Sequence, residues 1–94
     1  MNKVNINLHC HYLFLKRAIV LLYSPALDLS TVGDTFKEAQ NRFEEAVEIF
    51  FEEISEKGTV EEALTELGWQ KVKKQLVPPQ VVSNQTKQFS LPSL

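Results

Sequence analysis

From Lys3 to Tyr12 polar and apolar residues alternate without a break. Val4, Ile6, Leu8, Cys10 and Tyr12 fall on one side, and Lys3, Asn5, Asn7, His9 and His11 on the other. A period of two over this length predicts a strand with one face on a core and the other toward water or a second subunit. Lys16-Arg17 is the expected turn, although it lacks the Gly or Asn of a tight hairpin. Ala18 to Tyr23 is continuously apolar, the pattern of an inner strand covered on both faces. Pro25 then interrupts the ladder, and Leu27 to Val32 predicts a third short strand that ends at Gly33-Asp34.

The period changes at Thr35. Thr35-Phe36-Lys37-Glu38 has the capping-box form, in which the Thr hydroxyl accepts from the backbone N–H three residues on and the Glu reaches back. Phe36, Ala39, Phe43, Ala46, Val47, Phe50 and Ile54 follow at spacings of three and four, an apolar stripe that needs a sheet to cover. Glu38, Glu45, Glu48, Glu52 and Glu56 line the opposite side, so this helix depends on packing more than on its own surface pairs. Gly58 suits the left-handed residue after a helix end. Thr59-Val60-Glu61-Glu62 repeats the capping-box form and predicts a shorter helix through Val60, Ala63, Leu64 and Leu67 that stops at Gly68.

Beyond Trp69 the composition shifts to Lys71, Lys73 and Lys74, then Pro78-Pro79, which force an extended path. Val81-Val82 and Gln88 to Leu91 are the segments that can each add a short strand at a sheet edge. The reading is an α+β fold: a βββααβ two-layer domain, an antiparallel sheet with helices on one face. Residues 1–69 form its core, and 70–94 a Pro-containing tail whose short strand completes it.

Composition narrows the function. Ninety-four residues, 44% hydrophobic and 23% charged, fit one small globular domain. A chain of this size buries only about two-thirds of its unfolded surface, so a second copy or a partner is expected. A single cysteine excludes an intrachain disulfide and fits a reducing compartment. The apolar stretch from Tyr12 to Ala26 is broken by Lys16-Arg17, and the N-terminus lacks the basic-then-apolar order of a leader, so no membrane span and a cytoplasmic location are expected. The net charge of −2 conceals a strong polarity. Eleven of the twelve acids lie between Asp34 and Glu66 against three bases, leaving that segment at −8 and the remainder at +6. Such a segment favours a charge-complementary partner and argues against direct nucleic-acid binding there; its bland alternative is a solvated helix face.

The candidate chemistry is sparse. His9-Cys10-His11 is the one cluster of metal-ligand types, but on a strand the thiol points away from the two imidazoles. No other Cys or His exists in the chain, and a structural zinc needs four ligands, so no metal site is expected within one copy. Cys10, on the apolar face, reads as an inert thiol. No phosphate-cradling glycine loop or nucleophile motif is present, and the helical carboxylates read as solvated charge rather than paired acid–base groups. No catalytic residue and no cofactor are expected. Phe50-Phe51 places two aromatics side by side where one helix face cannot bury both equally; Phe51 is therefore a candidate contact residue, and Trp69 with the Pro pair raises the same question.

The order strand, strand, Ser24-Pro25-Ala26-Leu27, short strand, Gly33-Asp34-Thr35 with Glu38-Ala39, and then a long acidic helix resembles the HicB-like antitoxin family. Phe50-Phe51-Glu52-Glu53, Lys57-Gly58-Thr59, Leu64-Thr65-Glu66-Leu67-Gly68-Trp69 and the Pro78-Pro79 tail are similar to a short-form branch of that group. The resemblance implies a sheet of three strands with the helices on one side and a fourth strand after them, a degraded RNase H-like fold. It further implies a homodimer or higher homo-oligomer, and a role in masking a small HicA-like RNA-cleaving toxin. In this chain Leu27 is followed by Asp28-Leu29 where many relatives have Pro-Gly-Cys, and the tail is too short and Pro-interrupted for a helix-turn-helix. The expected partner surface is Glu45, Glu48, Glu52, Phe51, Tyr23 and Asp28. The rival readings are an orphan oligomeric or regulatory module of the same fold without a toxin, and a nucleic-acid binder using Lys16, Arg17, Lys71, Lys73 and Lys74.

Overall fold

The computed structural model describes residues 5–16 and 19–93. Lys3, Val4, Arg17 and Ala18, which the pattern places in the first strand, the turn and the second strand, lie outside the described residues. The elements run β1 (His11–Phe14), β2 (Val20–Ser24), β3 (Leu29–Gly33), α1 (Phe36–Glu56), α2 (Val60–Glu66), β4 (Gln70–Val72) and β5 (Gln75–Val77). It is a small α+β domain: β1-β2-β3 form one antiparallel sheet in that order, and β4-β5 a separate hairpin.

β2 is the middle strand and alternates in burial. Val20, Leu22 and Ser24 are buried and face α1, while Leu21 and Tyr23 are half-buried on the outer face. The apolar run is therefore covered on one face, not two. The pairings Leu13 with Leu21, His11 with Tyr23 and Leu21 with Val32 carry that outer face across all three strands. Leu13, Ile19 and Val32 on it are 53%, 41% and 43% exposed, so among the described residues no layer covers this apolar face.

β1 starts eight residues later than the alternation at Lys3 suggests. Residues 5–10 have no strand partner, yet their alternation survives as packing: Leu8 and Cys10 rest on the core while His9 is exposed. Pairing, not periodicity, ends the ladder, because β2 turns away at Pro25. The turn Pro25–Asp28 buries Ala26 and Leu27 within the second core cluster, which moves the start of β3 from Leu27 to Leu29.

Thr35 caps α1 as expected, its Oγ1 accepting from Glu38 N at 3.0 Å. The reciprocal arm lands one residue early, with Asp34 N donating to Glu38 Oε2 at 3.4 Å. Thr59 makes no such cap; its hydroxyl donates back to Ile54 O at 3.5 Å. The two helices end alike. Thr59 N donates to Ile54 O and Gly58 N to Ser55 O; one helix later Trp69 N donates to Leu64 O and Gly68 N to Thr65 O. Each is a Schellman closure, with Gly58 at φ 67° and Gly68 at φ 96° in the left-handed position that only glycine takes without strain.

The second closure places Trp69. The residue after the left-handed glycine swings back under the helix to meet the residue five before it, and Trp69 and Leu64 are both buried in the cluster with Ala26, Leu27 and Ile54. Trp69 Nε1 donates to Ala26 O at 2.8 Å, tying the end of α2 to the loop after β2. Trp69 is a core residue. A first cluster of Val20, Leu22, Ala39 and Phe43 joins this one through Leu29 and Val47, which pack on both.

Three expectations fail. Phe36, assigned to the core stripe, is 51% exposed, because α1 begins beyond the buried part of the sheet; it packs on Tyr12 and Phe14, ring centroids 5.4 and 5.5 Å away. Val81-Val82 and Gln88 to Leu91 form no strand, and Val82, Phe89 and Leu91 are 94%, 77% and 83% exposed. The strands after the helices are instead β4 and β5, turned by Lys73 and Lys74 at φ 50° and 67°. This is the positive-φ two-residue turn usually built from Asn and Gly, and its lysines hide it.

Candidate functional site

Glu45, Glu48 and Glu52 recur at spacings of three and four, so the helix stacks them as one strip on the exposed side of α1. Glu44, which the pattern reading passed over, sits beside Glu48. Together they rim an open groove of about 370 Å3 floored by Ile6, Leu8, Phe43 and Val47. Glu44 stands on a four-residue repeat with Glu48, Glu52 and Glu56, so the spacing alone is enough to find it. Among the described residues the one close ion pair around α1 is Glu38 with Arg42 at 2.6 Å, and Glu44, Glu45, Glu48 and Glu52 have no cationic partner.

Phe51 lies at the next edge of the same helix. It is half-buried, meets Phe50 edge-on with centroids 5.3 Å apart, and both rings pack on the second core cluster. Phe51 also lines a larger cleft of about 790 Å3, walled by Ile6, Val60, Leu64, Trp69, Leu76 and Pro78. Glu44 and Glu48 thus border the first depression, Phe51 of the same helix lines the second, and the segment before β1 closes one side of both.

Tyr23 and Asp28 stand apart from this surface. Tyr23 is on the outer face of the sheet, whereas α1 packs on the inner face with Val20 and Leu22. Its hydroxyl donates to Asp28 Oδ1 at 3.0 Å, and that bond to a carboxylate holds the Tyr23 pKa above its ordinary value. Asp28, at φ 49° in the turn after β2, is exposed. The six named residues therefore divide between two faces: four on α1 and a hydrogen-bonded pair on the sheet side.

The metal-type residues do come together, but as a pair. His9 and His11 stand edge-on with ring centroids 4.6 Å apart, and no group of three or more His, Cys, Asp or Glu that could hold a metal occurs among the described residues. Cys10 points the other way, its Sγ 3.7 Å from Leu8 O. Burial pushes the Cys10 thiol up, and the Ser24 hydroxyl beside it only partly offsets this. A raised thiol is a poor nucleophile at neutral pH.

Ser24 is itself unusual. It is fully buried, and its Oγ is the one enclosed side-chain oxygen or nitrogen without a hydrogen-bond partner among the described residues. Sulfur accepts too weakly to satisfy it. Ser24→Ala removes an unmet polar group at little loss of volume, so stability in urea is expected to hold or rise by up to ~1 kcal/mol. A loss of more than ~1 kcal/mol would show that the hydroxyl is bonded after all.

No helix among the described residues is long and apolar enough to cross a membrane. Comparisons of the chain with known protein families, with curated proteins and with solved structures return no significant match.

Proposed function

We propose that this protein is a non-catalytic, cytoplasmic binding protein of the HicB-like antitoxin kind, which neutralises a small basic RNA-cleaving toxin resembling HicA by covering its substrate surface. The observation that carries this reading is the acidic strip Glu44, Glu45, Glu48 and Glu52, without a cationic partner among the described residues, beside the apolar groove floored by Ile6, Leu8, Phe43 and Val47. A surface that binds RNA is basic, because phosphate contacts need Lys and Arg. An acidic strip can complement such a surface and occupy the positions of the phosphates, and the adjoining apolar floor gives the contact an anchor that charge alone lacks. Inhibition by occupation needs no reaction on this chain, no metal and no cofactor. The order of the motifs from Ser24 to Trp69 supports the same reading.

The test is capture from the source cell at low salt with the intact protein as bait. A small basic protein whose RNA cleavage falls as this chain is added is the expected result. Recovery of no such protein, or of one whose cleavage is unaffected, contradicts the proposal.

A further inference from the structure

One end of the domain gathers apolar side chains that the rest of the fold leaves uncovered. Val20 pairs with Phe14 on one side and Gly33 on the other, so the end of β1, the start of β2 and the end of β3 lie together. α1 begins just after them, and its Phe36 packs edge-on against Phe14, ring centroids 5.5 Å apart. Leu15 and Ile19 stand at the turn itself, where Leu15 N donates to Ile19 O at 2.8 Å. The register puts Leu13 and Val32 on the outer face of the sheet and Phe14 on the face toward α1. The patch therefore wraps the end of the sheet instead of lying flat on one side.

Its size and its rim set it apart from scattered surface residues. Leu13, Phe14, Leu15, Ile19, Val32 and Phe36 are each 41–65% exposed, together about three whole apolar side chains left in water. That is on the order of 500 Å2 in one place, within the ~300–600 Å2 of the largest, often functional, patch on a typical monomer. Lys16 and Lys37, both exposed, flank it, one following Leu15 in the turn and the other following Phe36. Of the acids at this end Glu38 is paired with Arg42, which leaves Asp34 against the two lysines among the described residues. The acidic strip starts at Glu44, about 12 Å further along the helix. Its repulsion of a negative surface at this end is therefore largely screened, since the Debye length is only ~10 Å at 0.1 M salt.

We infer that this end docks on the surface of an anionic lipid bilayer, with Phe14, Leu15 and Ile19 entering the headgroup region and Lys16 and Lys37 set against the lipid charge. Shape selects a bilayer over a protein groove. The apolar side chains project from both faces of one sheet end, and a fluid interface closes around such a wedge without having to match it. Lysines beside an inserted tip lay their stems along it and keep the ammonium among the headgroups, where each adds attraction to anionic lipid. The turn also meets the demand that entry makes on the backbone. Leu15 N is bonded within it, and Lys16 O accepts from Ile19 N at 3.0 Å. Docking of this kind needs no spanning helix, and none exists among the described residues. The reading goes beyond the partner proposed for α1 and uses other residues, so its failure leaves that proposal standing.

The test is co-sedimentation of the intact chain with vesicles of phosphatidylcholine alone and of equal parts phosphatidylcholine and phosphatidylglycerol. Binding to the anionic vesicles that weakens with salt, and little to the neutral ones, is the expected result. Phe14→Ser with Leu15→Ser should lower that binding at least ~10-fold, and Lys16→Glu should also lower it, both with unchanged circular dichroism. Phe89→Ser in the exposed tail is the control and should bind as the unmodified chain does. A polarity-sensitive dye on Leu15→Cys, in a Cys10→Ser background, should shift to the blue when anionic vesicles are added. An unmodified chain absent from the anionic pellet at low salt overturns the proposal. So does binding that survives Phe14→Ser with Leu15→Ser, or that Phe89→Ser lowers as much.

Discussion

Replacing Trp69 with alanine is expected to remove ~3–5 kcal/mol of stability, the loss of a large buried aromatic and the cavity it leaves. Small domains have only about 5–15 kcal/mol in total, so this change takes much of the reserve. The ring is 4% exposed and is the single side chain that bonds α2's end to the loop after β2. Trp69→Phe separates the two contributions. It keeps most of the packing but strands Ala26 O in the core, at a cost of about 1–3 kcal/mol. Urea unfolding followed by circular dichroism should rank the chains as unmodified, Trp69→Phe, Trp69→Ala. A Trp69→Ala protein within ~1 kcal/mol of the unmodified chain would remove Trp69 from the account of the core.

Gly33→Ala is the second large effect, and it arises from contact rather than from φ. A Cβ at Gly33 would lie 2.5 Å from Ala39 N and 3.0 Å from Glu38 C, both helix backbone that cannot rotate aside. The end of β3 must then part from the first turn of α1. That disturbs the Thr31 Oγ1 donation to Ala39 O at 2.9 Å and the fully buried Ala39. Overpacking of this kind costs ~1–3 kcal/mol or more. Gly58→Ala is the control: a Cβ there meets nothing within 4 Å, so only the ~1–2 kcal/mol of a left-handed alanine is expected. If Gly58→Ala proves the more damaging, β3 and α1 are not in the close approach described here.

These residues also show what could be read before the structure. Thr35, Phe43 and Ile54 were legible because helix capping and a 3.6-residue stripe are local signals. Three strands ahead of the helices and both helix-ending glycines followed from the same kind of signal. Phe36 fits the stripe equally well yet is exposed, since periodicity gives direction around a helix but not whether the sheet extends far enough to meet it. The Lys73-Lys74 turn was illegible because its left-handed backbone is imposed by the pairing of Gln70–Val72 with Gln75–Val77, against the preference of lysine. The outer face of β2 shows the converse error: a continuous apolar run normally means two covered faces, and here one is left open. At the candidate site, the strip Glu45, Glu48 and Glu52 was read from spacing. That Tyr23 and Asp28 lie on the sheet side needed the register.

The acidic strip of α1 is the proposed binding surface. The decisive experiment measures capture of the proposed basic ribonuclease by the unmodified chain and by a Glu45→Lys, Glu48→Lys, Glu52→Lys variant, each at low and raised salt. All three side chains are exposed, so the variant should keep the fold, as its circular dichroism will report. Binding is expected to weaken as salt rises, with an affinity reduced at least ~10-fold in the variant, the effect of only ~1.4 kcal/mol. Equal capture by both proteins, insensitive to salt, would contradict it.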